Sequence, residues 1–359
     1  MHEFGGDIKY MYRMYMAARA TRSASRRVAA SRCHLIELSH DELGVIVDGL
    51  ADPLEPVVAV AFSSTCKGLR TPLRVALEVL KERHERAVEF CKRVGWAWNV
   101  SDEQLRGVGG CSYLRDAHKL TLQAEPDDWI SPLGMEEMET LAMILQTNGL
   151  PNLKKLEIDR NHFGDKHLAV LFGALGPGAL PSLKDLPVFR NKVGPLGAEA
   201  CAAALARGAM PKLRFLAFYN NPIGNQGVAA LKASLRKREL WFLGIADVGL
   251  DDDGVSSLMD DLDKDDFKAL GKLSFSHNRI TNRSYASITS AINRGALPAL
   301  FDVINRDQGW HEEFPGQFEP YAISEEASQA LDEVIMTRIE TESVVKTPFS
   351  HPELFPVQD

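Results

Sequence analysis

The chain has 359 residues, 45% of them hydrophobic and 25% charged, with a formal net charge of -8. That supplies enough apolar material for a sizeable core, while the acidic balance excludes a general role on nucleic acid, whose phosphates need a basic face. No run approaches the roughly 18 consecutive apolar residues of a membrane span, and the first residues lack the apolar block of a secretory signal, so the expectation is a soluble intracellular protein of cytoplasm or nucleus that binds no membrane.

In chain order, residues 8 to 36 carry Lys9, Arg13, Arg19, Arg22, Arg26, Arg27 and Arg32 with no acid between them. Residues 1–33 are expected to be a basic, disordered tail; the same composition is also that of an organelle transit peptide. Five cysteines, Cys33, Cys66, Cys91, Cys111 and Cys201, form no CxxC pair. Their odd number and wide spacing predict free thiols rather than a disulfide framework or a zinc site.

Residues 34–95 show helical patterns over Asp41–Leu50 and Pro72–Val94 and no repeat. Within them run Leu38-Ser-His-Asp41-Glu-Leu43, then Ile46 and Leu50, then Leu54, Val57 and Val60, and finally Cys66-Lys-Gly-Leu69-Arg70. This order resembles the F-box, in which a Leu-Pro, a Glu-Leu, an Ile-Leu and a Cys-Lys-x-Trp-Arg recur at comparable spacings. Ser39 stands where that family has Pro, and Leu69 where it often has Trp. The resemblance implies a small all-α bundle that grips the adaptor of a cullin ubiquitin ligase, with Leu38, Leu43, Ile46, Leu50, Leu54 and Leu69 as adaptor contacts. The alternative for the same residues is a plain helical cap on the following domain. Residues 96–112 are expected to be a linker.

From residue 113 to 308 one pattern returns: Leu153-x-x-Leu156-x-Ile158-x-x-Asn161-x-Phe163-Gly164. Further copies place Leu186, Val188 and Asn191, then Leu216, Phe218 and Asn221, then Leu243, Ile245 and Val248 in place of Asn, then Leu273, Phe275 and Asn278. The copies start at 153, 183, 213, 240 and 270, a period of 30 residues with one of 27. Apolar positions two apart predict a short strand, and the Ala- and Leu-rich stretch behind each Asn predicts a helix. Recurring Gly-x-x-Pro signals, as at Gly178 and Gly208, stop each helix before the next strand. Weaker terminal copies are expected around Leu120 and Leu122, with a loop carrying Trp129 and Pro132, and near Leu300 and Val303.

The pattern resembles the leucine-rich-repeat family, in its long-repeat, ribonuclease-inhibitor-like class. The resemblance implies an α/β solenoid: a curved array with parallel strands on the concave side and helices on the convex side. It also implies a structural ladder of Asn161, Asn191, Asn221 and Asn278, broken at Val248.

With the leucines inside, the alternate strand residues form the concave face. Phe189, Phe215, Tyr219, Trp241 and Phe242 then collect as an apolar patch with charged flanks, suited to a protein ligand. Residues 309–359 should hold one amphipathic helix, Ser324–Ile339, and a tail whose aromatics are an alternative cover for that patch. There is no GxxxxGK[ST]. The acids from Asp251 to Asp266 lack the calcium-loop Gly and Glu and are read as helix starts and a solvated loop. His162 and His167 lie five apart and are read as turn residues, and Cys201 as a buried thiol. No catalytic residue, metal or cofactor is expected. The chain is therefore read as a monomer outside its complexes that binds protein without catalysis, as substrate receptor of a cullin-type ligase through its F-box-like module. The alternative is a stand-alone scaffold or regulator, such as a GTPase-activating protein.

Overall fold

A computed structural model describes residues 38–65, 69, 71–95, 109–123, 133–147, 150–304 and 323–341. The expected basic tail 1–33, linker residues 96–108, the loop with Trp129 and Pro132, and the aromatic segments flanking the last helix lie outside the described residues. The chain divides into two compact units, Met1–Lys184 with Arg207–Lys212 and Asp185–Ala206 with Leu213–Asp359.

The first unit opens with α1 (His40–Leu50), α2 (Val57–Ser64), α3 (Arg74–Gly95) and α4 (Gly109–Asp116). Ser39, the departure from the F-box pattern, has a local task. Its hydroxyl accepts from the Glu42 N–H at 3.2 Å, while the Glu42 carboxylate accepts from the Ser39 N–H at 2.8 Å, a capping box that starts α1. Leu43 and Val47 of α1 pack with Leu69 and Leu73, and Ala51, Ala59 and Leu80 form a second small core. The far end of α3 buries Phe90 and Val94, and Arg86 of α3 donates to Thr140 Oγ1 at 3.3 Å. Helix α4 begins inside the expected linker: residues 109–112 are helical, and Cys111 and Leu114 are buried.

The repeat pattern follows as β1 (Lys119–Gln123), α5 (Met135–Gln146), β2 (Lys155–Asp159) and α6 (Asp165–Gly173). The two strands are parallel, with Leu120 opposite Leu156 and Leu122 opposite Ile158, all four buried. Parallel pairing demands a long crossover, which α5 supplies. At the close of this unit Arg207 reaches back to the end of α6 and donates to the Phe172 carbonyl at 2.7 Å, capping orphan helix-end acceptors.

The second unit repeats the plan: β3 (Asp185–Phe189), α7 (Pro195–Ala206), β4 (Phe215–Ala217), α8 (Gly224–Leu235), β5 (Phe242–Gly244), α9 (Asp252–Met259), β6 (Lys272–Ser274), α10 (Asn282–Asn293), β7 (Asp302–Ile304) and α11 (Glu325–Thr341). Its five strands lie parallel in chain order, with Leu186, Leu216, Leu243, Leu273 and Val303 in register. Leu186, Leu216, Leu243 and Leu273 thus build one continuous buried row, which the half-buried Val303 ends, and the same strand–turn–helix unit recurs along it. Here too an arginine from one repeat caps the helix end of the one before: Arg294 donates to the Met259 carbonyl at 3.0 Å. Arg238 likewise donates to the Leu205 carbonyl. Helix α11 packs on α10, and Arg338 donates to the Leu300 carbonyl at 2.5 Å.

The acidic stretch divides in two. Asp251 caps α9, accepting from the Asp253 and Gly254 N–H groups at 3.0 Å each, and Asp252 accepts from the Thr281 N–H at 2.8 Å where α10 begins. Asp266 is not solvated, contrary to the expectation for this loop. Its side chain is fully buried and accepts from Arg236 Nε and Nη2 at 2.9 and 2.5 Å, from the Asp263 N–H at 3.1 Å and from Lys237 Nζ at 2.8 Å. Two cations that close α8 draw the loop inward, and hydrogen bonding from Arg236 holds the Asp266 carboxyl well below its ordinary range.

Candidate functional site

Strands β2 to β6 each lead into a turn that holds a left-handed residue. Arg160, Arg190, Asn220, Asp247 and His277 occupy that place, with φ between 47° and 57°. The next residue is the ladder Asn, or Val248. In the first unit Asn161 Nδ2 donates to the carbonyls of Leu122 and Asp159 at 2.7 and 2.8 Å. In the second unit Asn191 donates to Phe189 O at 2.6 Å, and Asn221 to Val188 O and Tyr219 O at 3.0 Å each. Asn278 donates to Ile245 O at 2.6 Å and Phe275 O at 2.9 Å, and its Oδ1 accepts from the N–H groups of Val248 and Leu250 at 3.0 Å each. Asn278 therefore serves the turn at the break: Val248 adds an apolar plug, and its backbone is satisfied from the following repeat.

On the strand face of the second unit the expected aromatics meet as stacked rings. Phe215 and Phe242, paired across β4 and β5, lie 4.4 Å apart and nearly parallel, and Phe189 stacks on Tyr219 at 5.2 Å. Tyr219 turns its edge to Phe242, at 6.5 Å, and Trp241 lies 6.3 Å from Phe242. The rings do not share one exposure. Phe242 is only 2% exposed, because Phe215, Tyr219 and Trp241 surround it, so it is the base of the patch rather than part of its surface. Phe189, Phe215, Tyr219 and Trp241 are half-buried.

Two glycines make this packing fit. A Cβ on Gly244 would stand 2.6 Å from the Tyr219 ring, so Tyr219 crosses β5 over a bare backbone. Its hydroxyl is hydrogen-bonded to Ser274 on β6, and burial pushes the phenol up to about 12. A Cβ on Gly271 would stand 2.7 Å from Phe301 and 2.9 Å from Trp241, whose rings approach to 6.5 Å above it.

Phe301 was not among the expected site residues, yet it is 42% exposed and continues the patch. It holds the place just before its strand that Trp241 holds before β5, so the repeat register carried the signal. Lys272 Nζ lies 5.5 Å from the Phe301 ring centre and 3.0 Å from the Asp302 carboxylate, giving the patch a charged border. The matching strand face of the first unit is polar: Lys119 and Lys155 lie 3.1 and 3.2 Å from Glu157. The described part of the C-terminal region, α11, packs on α10; the tail aromatics lie outside the described residues.

The F-box-like residues separate in another way. Leu43, Leu54 and Leu69 are 2%, 4% and 0% exposed, buried among their own helices, so as they stand they offer no contact to an adaptor. Leu38, Ile46 and Leu50 are half-buried. The exposed large apolar side chains of this module are valines outside the expected adaptor contacts: Val45 on α1, Val57, Val58 and Val60 on α2, of which Val57 and Val60 belong to the motif run, and Val75 and Val79 one turn apart on α3. His162 is an exposed turn residue, whereas His167 sits in the first turn of α6 and its Nδ1 accepts from the Gly164 N–H at 3.2 Å. Cys201 is wholly buried on α7, where burial raises its thiol pKa and leaves it inert. Among the described residues no cluster of three or more His, Cys, Asp or Glu side chains is arranged to hold a metal, and no helix is long and apolar enough to cross a membrane.

No family model and no curated protein sequence matches the chain. Among solved structures it is similar to an internalin from Listeria monocytogenes, at 17% identity over 55% of this chain and 44% of that one, with a TM-score of 0.31. It is also similar to a chain of a TLR13–ssRNA13 complex, at 17% identity over 54% of this chain and 30% of that one, with a TM-score of 0.26. The chain spans less than half of either.

Proposed function

We propose that this is a non-catalytic protein-binding protein whose partner docks on the strand face of the second unit. The observation that carries the reading is the set of stacked, part-exposed rings, Phe189, Phe215, Trp241 and Phe301, standing on the buried Phe242 and bordered by Lys272 and Asp302. Rings already held by their neighbours lose little side-chain freedom on binding, and partly buried Trp and aromatic anchors carry most of the affinity of protein interfaces. The repeat length of about 30 residues and the full helices between strands favour the ribonuclease-inhibitor-like class.

In the same reading the helical module is F-box-like and joins the chain to the adaptor of a cullin-type ubiquitin ligase, making the repeat domain a substrate receptor. Because Leu43, Leu54 and Leu69 form its interior, the adaptor-facing surface is the set of exposed valines on α1 to α3. The experiment uses the full chain. Trp241→Ala combined with Phe301→Ala should weaken capture of the repeat-face partner at least tenfold, about 1.4 kcal/mol, with a change in Tm of no more than a few degrees. Val45→Asp with Val75→Asp should abolish adaptor binding and leave repeat-face capture intact. Unchanged capture by the first variant contradicts the docking face; an adaptor that fails to bind the wild-type chain contradicts the ligase role alone.

A further inference from the structure

Cys91 on α3 and Cys111 on α4, 20 residues apart in the chain, bring their sulfurs to 3.7 Å. Both are free and nearly buried, at 5% and 6% exposure. Neither packs as an isolated small apolar residue, since each thiol has the other as its hydrogen-bond partner. The neighbourhood is polar on one side. Arg115, one turn beyond Cys111 on α4, lies 3.7 Å from the Asp52 carboxylate and is also paired with Glu55. We propose that Cys91 and Cys111 are a redox-active dithiol that closes to a disulfide with peroxide as oxidant, fastening the helical module to the start of the repeat array.

The pair is asymmetric in the manner the step requires. The Cys91 thiol donates to Cys111, which raises the pKa of Cys91 and lowers that of Cys111, so Cys111 ionises the more readily of the two and is the attacking sulfur. The Cys111 thiolate attacks one peroxide oxygen. The O–O bond breaks, hydroxide leaves, and Cys111 becomes a sulfenic acid. The Cys91 sulfur then displaces the sulfenic oxygen, which leaves as water with the Cys91 proton, and the hydroxide from the first step takes up the proton that Cys111 released on ionising. Two thiols and one hydrogen peroxide give one disulfide and two waters. The low residual exposure admits a small peroxide while hindering bulky disulfides such as oxidised glutathione.

The bond would join α3 to α4, and α4 leads directly into β1. Reduced, the two regions are held by noncovalent contacts, among them the Arg93–Glu137 ion pair between α3 and α5.

The test treats the reduced full chain, carrying Cys33→Ser and Cys66→Ser so that the three described cysteines remain, with a slight molar excess of hydrogen peroxide. Thiols are then counted by alkylation and mass spectrometry after denaturation. The proposal predicts the loss of two thiols and a peptide linking Cys91 to Cys111. It also predicts a Tm raised by roughly 5 °C, in line with closing a loop of about 20 residues, and reversal of both by dithiothreitol. Cys111→Ser should abolish link and shift together, while Cys91→Ser should stop at a sulfenic acid that a dimedone probe captures. Three free thiols after peroxide, a link to Cys201, or oxidation of Cys111 to sulfinic acid without a link would each overturn it; these readings come from the parent chain and do not depend on the variants folding.

Discussion

The shape of the aromatic face is decided by atoms that are absent. Gly244 leaves room for Tyr219 to cross β5 and reach Ser274, and no other side chain fits between the ring and the strand. Gly244→Ala should therefore destabilise the protein by about 1–3 kcal/mol, as an overpacked site does. It should also release Tyr219 toward solvent, so that absorbance titration finds its ionisation falling from about 12 toward the ordinary phenol value. A variant with unchanged stability and titration would show the ring is not held there. Asp266 offers a second test. Its pKa is lowered in the folded state by Arg236 and Lys237, so its stabilisation is present above the unfolded carboxylate value near 4 and is lost as pH falls through the lower folded value. Asp266→Asn should cost about 2 kcal/mol at neutral pH, and in urea titrations the gap to wild type should begin to narrow below about pH 4 and keep shrinking as the pH falls further. An equal gap at pH 2 and pH 7 would rule the charge out as its source. Neither residue was legible in sequence. Gly244 is marked only by its strand position, and Asp266 looks like its exposed neighbours until the loop folds onto Arg236.

At the scale of the element, the repeat was readable because two periods coincide in it: the two-residue alternation of a strand and the 30-residue return of the whole unit. The strands lie where Leu156, Leu186, Leu216, Leu243 and Leu273 place them, and the helices fill the stretches behind each Asn. What stayed hidden depends on neighbouring repeats rather than on the repeat itself. Arg207 and Arg294 cap helices some 35 residues earlier in the chain, and Asn278 accepts from the Val248 N–H as Asn221 accepts from the Val193 N–H. Because Asn278 serves five backbone groups of two successive repeats, Asn278→Ala should cost about 3 kcal/mol or more by leaving buried groups unsatisfied. Hydrogen exchange should then rise first at the turns after β5 and β6. A loss confined to the turn after β6 would mean that Val248 and Leu250 are satisfied without it.

For the molecule as a whole, the helical module and the repeats show different degrees of legibility for one reason. A repeat states its pattern several times, so an error at Val248 costs little, whereas the module states its pattern once. Its leucines fixed the helices correctly, but hydrophobicity alone does not separate an interior side chain from an interface one: Leu43, Leu54 and Leu69 went inside and the valines stayed out. The same limit applied to the binding face, where Phe242 became the base and Phe301 joined the surface. Photocrosslinking of the full chain shows whether partners meet this face. A benzophenone side chain would replace Phe301 on the strand face in one sample and the exposed Leu196 of α7 in another. A partner docked on the rings gives a discrete protein adduct from position 301 that Trp241→Ala suppresses, and none from position 196; adducts from 196 alone, or from 301 with no dependence on Trp241, would mean that partners bind elsewhere.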